Sequence, residues 1–180
     1  MSVCNLGTKA MKHSMRMIAS IVALIASASL SYGQTPRVDR AEVSKPGIYS
    51  AKVTKRIADK SISTGTRNEV GEIRNTEITT LIPAKVNMFF GLEGTVIGAP
   101  KGTGIPVRIV WRYPQPGLKN PAGGAAKLID EYMDSAVIGK NFQFFWQLTR
   151  DWQIVPGVWT FEMWYQGRKL VSQNFTLVKG

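Results

Sequence analysis

The sequence predicts an all-β fold, a single antiparallel β-sandwich of seven to eight strands. Three observations carry that expectation. Short apolar–polar alternations of period two recur from Gly47 onward, each closed by a cluster of Gly, Pro, Ser or Thr. No stretch shows an extended 3.6-residue stripe, a heptad or an internal repeat. Five Trp, five Tyr and seven Phe make 17 aromatic residues, and nine of them fall between Phe142 and Tyr165. That concentration supplies apolar surface for a core that needs no disulfide.

Ahead of the sandwich stands an export signal. Lys9, Lys12 and Arg16 precede the thirteen residues Ile18 to Leu30 (IASIVALIASASL), and Ser31-Tyr32-Gly33 offers small side chains before a cut at Gln34. A membrane span needs about 20 apolar residues; this stretch is shorter and holds Ser20, Ser27 and Ser29. Residues 1–33 therefore read as a cleavable signal peptide, with Met11, Met15 and Met17 as alternative starts. Taking 33 from 180 leaves a mature chain of 147 residues, the size of one domain.

Cleavage removes Cys4 and His13, the only cysteine and the only histidine. Thiol and imidazole chemistry, disulfides and cysteine lipidation are then excluded from the mature chain. It keeps 20 of the 23 Lys and Arg and all 12 acids, a net charge of +8. Such a surface attracts polyanions, anionic glycan or lipid above all. Its basic residues are dispersed, with no run longer than Lys55-Arg56 or Arg168-Lys169, so they read as a solvated positive surface rather than a dedicated anion site, and nucleic acid is not an expected partner. The expected compartment is the periplasm or the exterior, with no transmembrane span in the mature chain.

Each element follows in order. Gln34 to Val43 is short and polar and is expected to fray, leaving a polar segment at 34–46 before a domain at 47–180. In residues 47–57 (GIYSAKVTKRI), Tyr49, Ala51 and Val53 form the inward face. Residues 59–68 (DKSISTGTRN) read as a loop. Residues 73–82 are β-branched and half polar, stopping at Pro83, and 86–97 form a long strand in which Gly91 and Gly94 indicate a bulge or close packing. Residues 99–104 turn the chain. Residues 107–113 set Val107, Ile109 and Trp111 on one face.

Three prolines and three glycines in 114–124 exclude both helix and central strand. Residues 125–138 fit a strand or a short helix, and the lack of a helix cap favours the strand. Its two faces would be Asp130, Tyr132, Asp134 and Ala136 against Ile129, Glu131, Met133 and Ser135. Residues 141–148 direct Phe142, Phe144, Trp146 and Leu148 to one side, and 158–165 do the same with Trp159, Phe161, Met163 and Tyr165. Gln166-Gly167 turns into a last strand at 169–178. There Leu170 and Phe175 lie an odd five residues apart, so burying both requires one extra residue between Val171 and Asn174, a β-bulge.

That closing hairpin looks like the last two strands of an immunoglobulin-like domain, without the cysteine pair of antibody-type domains. The blocks GIYSAKV, STGTRN, IPAK, GAPKG, WRYPQPGLKNP and PGVWTFEMWYQGRKLVSQNFT resemble a domain-of-unknown-function family of exported bacterial proteins, from about Ala41 to Val178. The resemblance implies a secreted or periplasmic bacterial domain. It assigns no catalytic or binding residue.

Candidate binding residues fall in two groups. Phe145, Trp152 and Trp164 break the inward alternation; core packing is still the first reading for them, but they are the better candidates to stack on sugar rings or meet an envelope protein, whereas Trp146, Trp159 and Phe161 read as core. Ser63, Thr64, Thr66 and Arg67, with the amides beside Gly65, would hold a phosphate or sulfate, although the loop lacks Walker spacing and reads as solvated. Asp130, Glu131 and Asp134 are the densest acids. They specify neither two carboxyls opposed across a cleft nor six to eight calcium oxygens, and read as a solvated face.

No catalytic residue, metal or cofactor is expected. Met88, Met133 and Met163 lie on separate strands and read as packing, not as a Cu(I) site. The leading expectation is a non-catalytic binding or interaction module of the bacterial envelope, engaging a protein or glycan through strand edges and loops. A hydrolase using carboxylates or a Ser–Lys pair is one alternative, though no GxSxG or SxxK supports it. Adhesion to anionic glycan or lipid is another.

Overall fold

The computed structural model of the protein describes residues 35–179. The expected leader, its cut at Gln34, Cys4 and His13 lie outside the described residues. Ten strands form: β1 (Arg37–Val43), β2 (Gly47–Ala58), β3 (Thr66–Ile78), β4 (Leu81–Pro83), β5 (Phe89–Ala99), β6 (Gly104–Arg112), β7 (Ile129–Val137), β8 (Asn141–Gln147), β9 (Gly157–Tyr165) and β10 (Arg168–Val178). They make two five-stranded sheets. One runs β1-β5-β2-β3 with β8 also on β5; the other runs β4-β10-β9-β6-β7. Every pairing between named strands is antiparallel except β4 with β10. The sandwich is the expected one, with β1 and the three-residue β4 beyond the seven or eight strands anticipated.

β1 corrects the expectation of a frayed N-terminus. Its register on β5 runs from Arg37 against Ala99 to Val43 against Gly94, and β2 continues it from Gly47 against Gly91 to Tyr49 against Phe89. Buried Val38 anchors it from below, and the Arg168 guanidinium donates to the carbonyls of Val38 and Asp39. Backbone pairing holds a segment whose side chains are mostly polar.

The core between the sheets is aromatic. Phe90, Trp111, Trp159, Phe161 and Phe175 are fully buried, and Phe90 meets Trp111, Trp159 and Phe175 edge-on at 5.4–5.7 Å. Gly91 reflects close packing, not a bulge: a Cβ there would stand 2.1 Å from the Phe144 carbonyl oxygen on β8. The final turn has positive φ at both Gln166 (46°) and Gly167 (77°), the type I′ requirement. β10 carries a bulge, but at Leu170, between Lys169 and Val171, and not between Val171 and Asn174. Absorbing the extra residue beside the turn puts Val171, Phe175 and Leu177 inside and leaves Leu170 half-buried.

Past Tyr49, β2 leaves β5 and pairs with β3 alone, as far as Ala58 against Thr66. The result is a two-stranded arm with two register shifts, at Ser50/Lys52 and Val53/Lys55, which increase its twist. Ala51 and Val53 are only half-buried because the arm has left the sandwich. Thr66, Arg67 and Asn68, expected in the loop, begin β3. Among the described residues the single helical turn is a 3-10 turn at Asp151–Gln153, and no helix is long and apolar enough to cross a membrane.

Candidate functional site at the open edge of the sandwich

β8 pairs only with β5, and β7 only with β6. The chain crosses between the sheets at Ile138–Lys140, where Ile138 bridges Val96. Beyond that crossing the two free edges border a cavity of about 370 Å³, between Asp134–Val137 and Lys140–Phe144. A second cavity, about 240 Å³, continues from it beneath the arm and shares Asp134, Gln143 and Phe144. Its apolar wall includes Ile73, Phe89, Phe145 and Trp146; its polar wall includes Arg67, Asn68, Gln147 and Thr149.

The arm is fastened by a buried acid. Asp130 is fully buried on β7, which overturns the solvated-face reading for that residue; Glu131 is exposed as expected, and Asp134 is half-buried. Asp130 Oδ2 accepts the Ser63 backbone N–H at 2.7 Å, the Ser63 hydroxyl, and the Tyr113 hydroxyl at 2.9 Å. Lys127 Nζ lies 3.8 Å from Oδ1 and donates to the Ser61 carbonyl at 3.1 Å. Asn120 donates to the Ser63 carbonyl at 3.3 Å. Burial, then the Asp130 charge, pushes the Tyr113 phenol well above its ordinary value of 10.0. At the arm's tip the Ser61 hydroxyl and amide hold Asp59 below the ordinary carboxylate value.

Charge in the cavity is matched within it. Arg67 lies 3.6 Å from Asp134 and 3.9 Å from Asp59, with its guanidinium 5.4 Å over the Tyr132 ring. Asn68 donates to Gln147 on β8 at 2.9 Å, tying the arm to the opposite edge. The Phe145 ring tilts against Tyr49 at 4.5 Å, and burial, then the Glu93 charge, raises the Tyr49 phenol to about 12. Asn68 Oδ1 and Trp146 Nε1 are buried without a hydrogen-bond partner.

The seven candidate residues divide three ways. Thr64, Thr66, Arg67 and Phe145 line the cavity beneath the arm. Ser63 is buried and fastens the arm to Asp130. Trp152 and Trp164 stand apart from both cavities. Trp152 sits half-buried on the 3-10 turn against the core. Trp164, on β9, is flanked by the Arg108 guanidinium at 4.8 Å and the Lys169 ammonium at 5.1 Å. Its Nε1 donates to Glu162 at 3.0 Å.

Sequence reasoning missed Asn68, Tyr132, Asp134, Gln143 and Gln147 as parts of one site. In β7 the hydropathy pattern pointed the wrong way. Its polar set, Asp130, Tyr132 and Asp134, is more buried than its exposed partners Ile129 and Met133, the reverse of ordinary core patterning.

Chemically the arrangement is suited to holding a ligand. One carboxylate, Asp134, lines the cavity beneath the arm, and Arg67 pairs with it; hydrolysis by opposed carboxyls needs two. Among the described residues no group of three His, Cys, Asp or Glu could hold a metal ion.

A family model described as a domain of unknown function (DUF3859) matches residues 37–177. No curated protein matches the chain. Among solved structures, an immunoglobulin-like protein from Pseudomonas aeruginosa is 19% identical, with 80% of this chain and 97% of that one covered, at a TM-score of 0.52. That likeness shows the fold. A β-glucosidase from Listeria innocua in complex with glucose aligns over 81% of this chain and 16% of its own, at 6% identity and a TM-score of 0.37, too low to carry an argument.

Proposed function

The chain belongs to the DUF3859 family of domains of unknown function, and from that premise we propose a non-catalytic binding module of the bacterial cell envelope. Its binding site is the open edge of the sandwich beneath the β2–β3 arm. One observation carries this reading: four candidate residues from distant segments, Thr64, Thr66, Arg67 and Phe145, line a single cavity there. The unpartnered polar atoms of Asn68 and Trp146 support it. Each such atom costs about 1–3 kcal/mol, which a ligand's polar edge can recover. The leader pattern of residues 1–33 supports the envelope as the compartment.

The test is affinity capture from envelope extract by the mature protein and two variants, each checked by thermal melting. Wild type and Trp164→Ala should recover the same partner, and folded Phe145→Ala should recover roughly a tenth as much or less. Equal recovery by Phe145→Ala, or loss confined to Trp164→Ala, would move the site away from the open edge.

A further inference from the structure

We propose that the ligand is an extended, uncharged peptide segment of another protein, which adds a strand to the free edge of β8. This rests on the reading of the open edge as the binding site.

The first argument is which residues line the cavities. Gln143, Phe144, Phe145, Trp146 and Gln147 are consecutive, and all five border the cavity beneath the arm. Lys140 through Phe144, also consecutive, border the adjoining one. Successive side chains of a strand point to opposite faces. A cavity that touches every one of them in turn therefore lies against the backbone edge. Pairing with β5 alone uses one side of β8, and the remaining backbone N–H and C=O groups address the groove. An extended chain laid there finds alternating donors and acceptors at strand spacing.

The second argument is how the other edges are guarded. Strand edges invite unwanted pairing, and charge, proline or brevity discourages it. β1, β3 and β7 each carry at least three charged residues, and β4 is three residues long and ends in Pro83. β8 (NFQFFWQ) has seven residues with neither a charge nor a proline. It is the long edge left open to strand addition.

Charge selects the partner. β8 itself is uncharged, Arg67 and Asp134 match each other in the groove, and Lys140 at its far end is exposed to solvent, so an uncharged segment fits without stranding a charge. A second copy of residues 34–180 would bring another +8 against +8. The segment therefore belongs to a different protein, one without a strong positive charge.

The experiment titrates the mature protein with a capped peptide of about eight residues, alternating valine and threonine, and reads backbone amide shifts by NMR. Shifts should concentrate in Asn141–Gln147 and the arm. Two further peptides carry N-methyl groups on one or the other alternate set of residues, removing the donors along one edge. Methylation of one set should weaken binding roughly tenfold or more, and of the other about twofold or less. Equal weakening by both sets, or no shift in β8, overturns the peptide. Cavity shifts on adding free glucose, with none from the peptide, also overturn the peptide but leave the site standing. Concentration-dependent dimerisation with β8 shifts in the absence of peptide replaces the partner with a second copy. Silence at β8 towards both probes, with capture indifferent to Phe145→Ala, removes the site itself.

Discussion

Asp130 is the residue on which the arm depends. It is fully buried and takes three hydrogen bonds from two partners, Ser63 and Tyr113, which lie 67 and 17 positions away. Nothing local in LIDEYMD marks it, because a carboxylate beside Glu131 reads as surface until the distant donors are known. Replacing it by alanine leaves those donors buried and unpaired, at a cost of about 3 kcal/mol. For a domain of this size that lowers the melting temperature by roughly 6–12 °C. Asp130→Asn keeps an acceptor oxygen and should lose less than half as much. Because Asp130 holds the arm's tip, Asp130→Ala should also speed tryptic cleavage at Lys55, Arg56 and Lys60 under native conditions. Unchanged cleavage would show that the arm is held by something else.

Between elements, legibility followed burial. β8 and β9 bury one face of large apolar side chains, so alternation alone identified Phe142, Phe144, Trp159 and Phe161. β1 and the arm are held by backbone pairing along polar strands, which hydropathy does not register. The candidate site was half legible for the same reason: the hydroxyl loop and Phe145 stood out singly, but the fold of the arm that joins them did not. Across the second sheet, β6, β9 and β10 are tied by Glu162. It meets Lys169 at 2.6 Å and Arg112 at 3.3 Å, with the Trp164 indole at 3.0 Å. Burial works to raise its pKa, but the hydrogen bonds from Lys169, Arg112 and Trp164 outweigh it and hold the carboxyl below its ordinary 4.5. With the folded value depressed, the unfolded chain takes up the proton first as pH falls. The stabilisation is complete above about pH 4.5 and is lost as pH falls through the folded value. Melting temperature plotted against pH should therefore fall less steeply below 4.5 in Glu162→Gln than in wild type; parallel curves would show that the network contributes nothing.

For the whole molecule, an immunoglobulin-like sandwich leaves function to its edges and loops. Here charge guards the edges of β1, β3 and β7, and the arm roofs part of the open side. What remains is the uncharged edge of β8, facing two joined cavities. The central claim is that binding happens there. Its most direct test is backbone hydrogen exchange on residues 34–180, alone and with the partner recovered by capture. The amides of Asn141–Gln147 that point away from β5 should exchange quickly in the free protein and slow roughly tenfold or more in the complex. Unchanged exchange in β8, with new protection around Trp164 on the second sheet, would contradict the account.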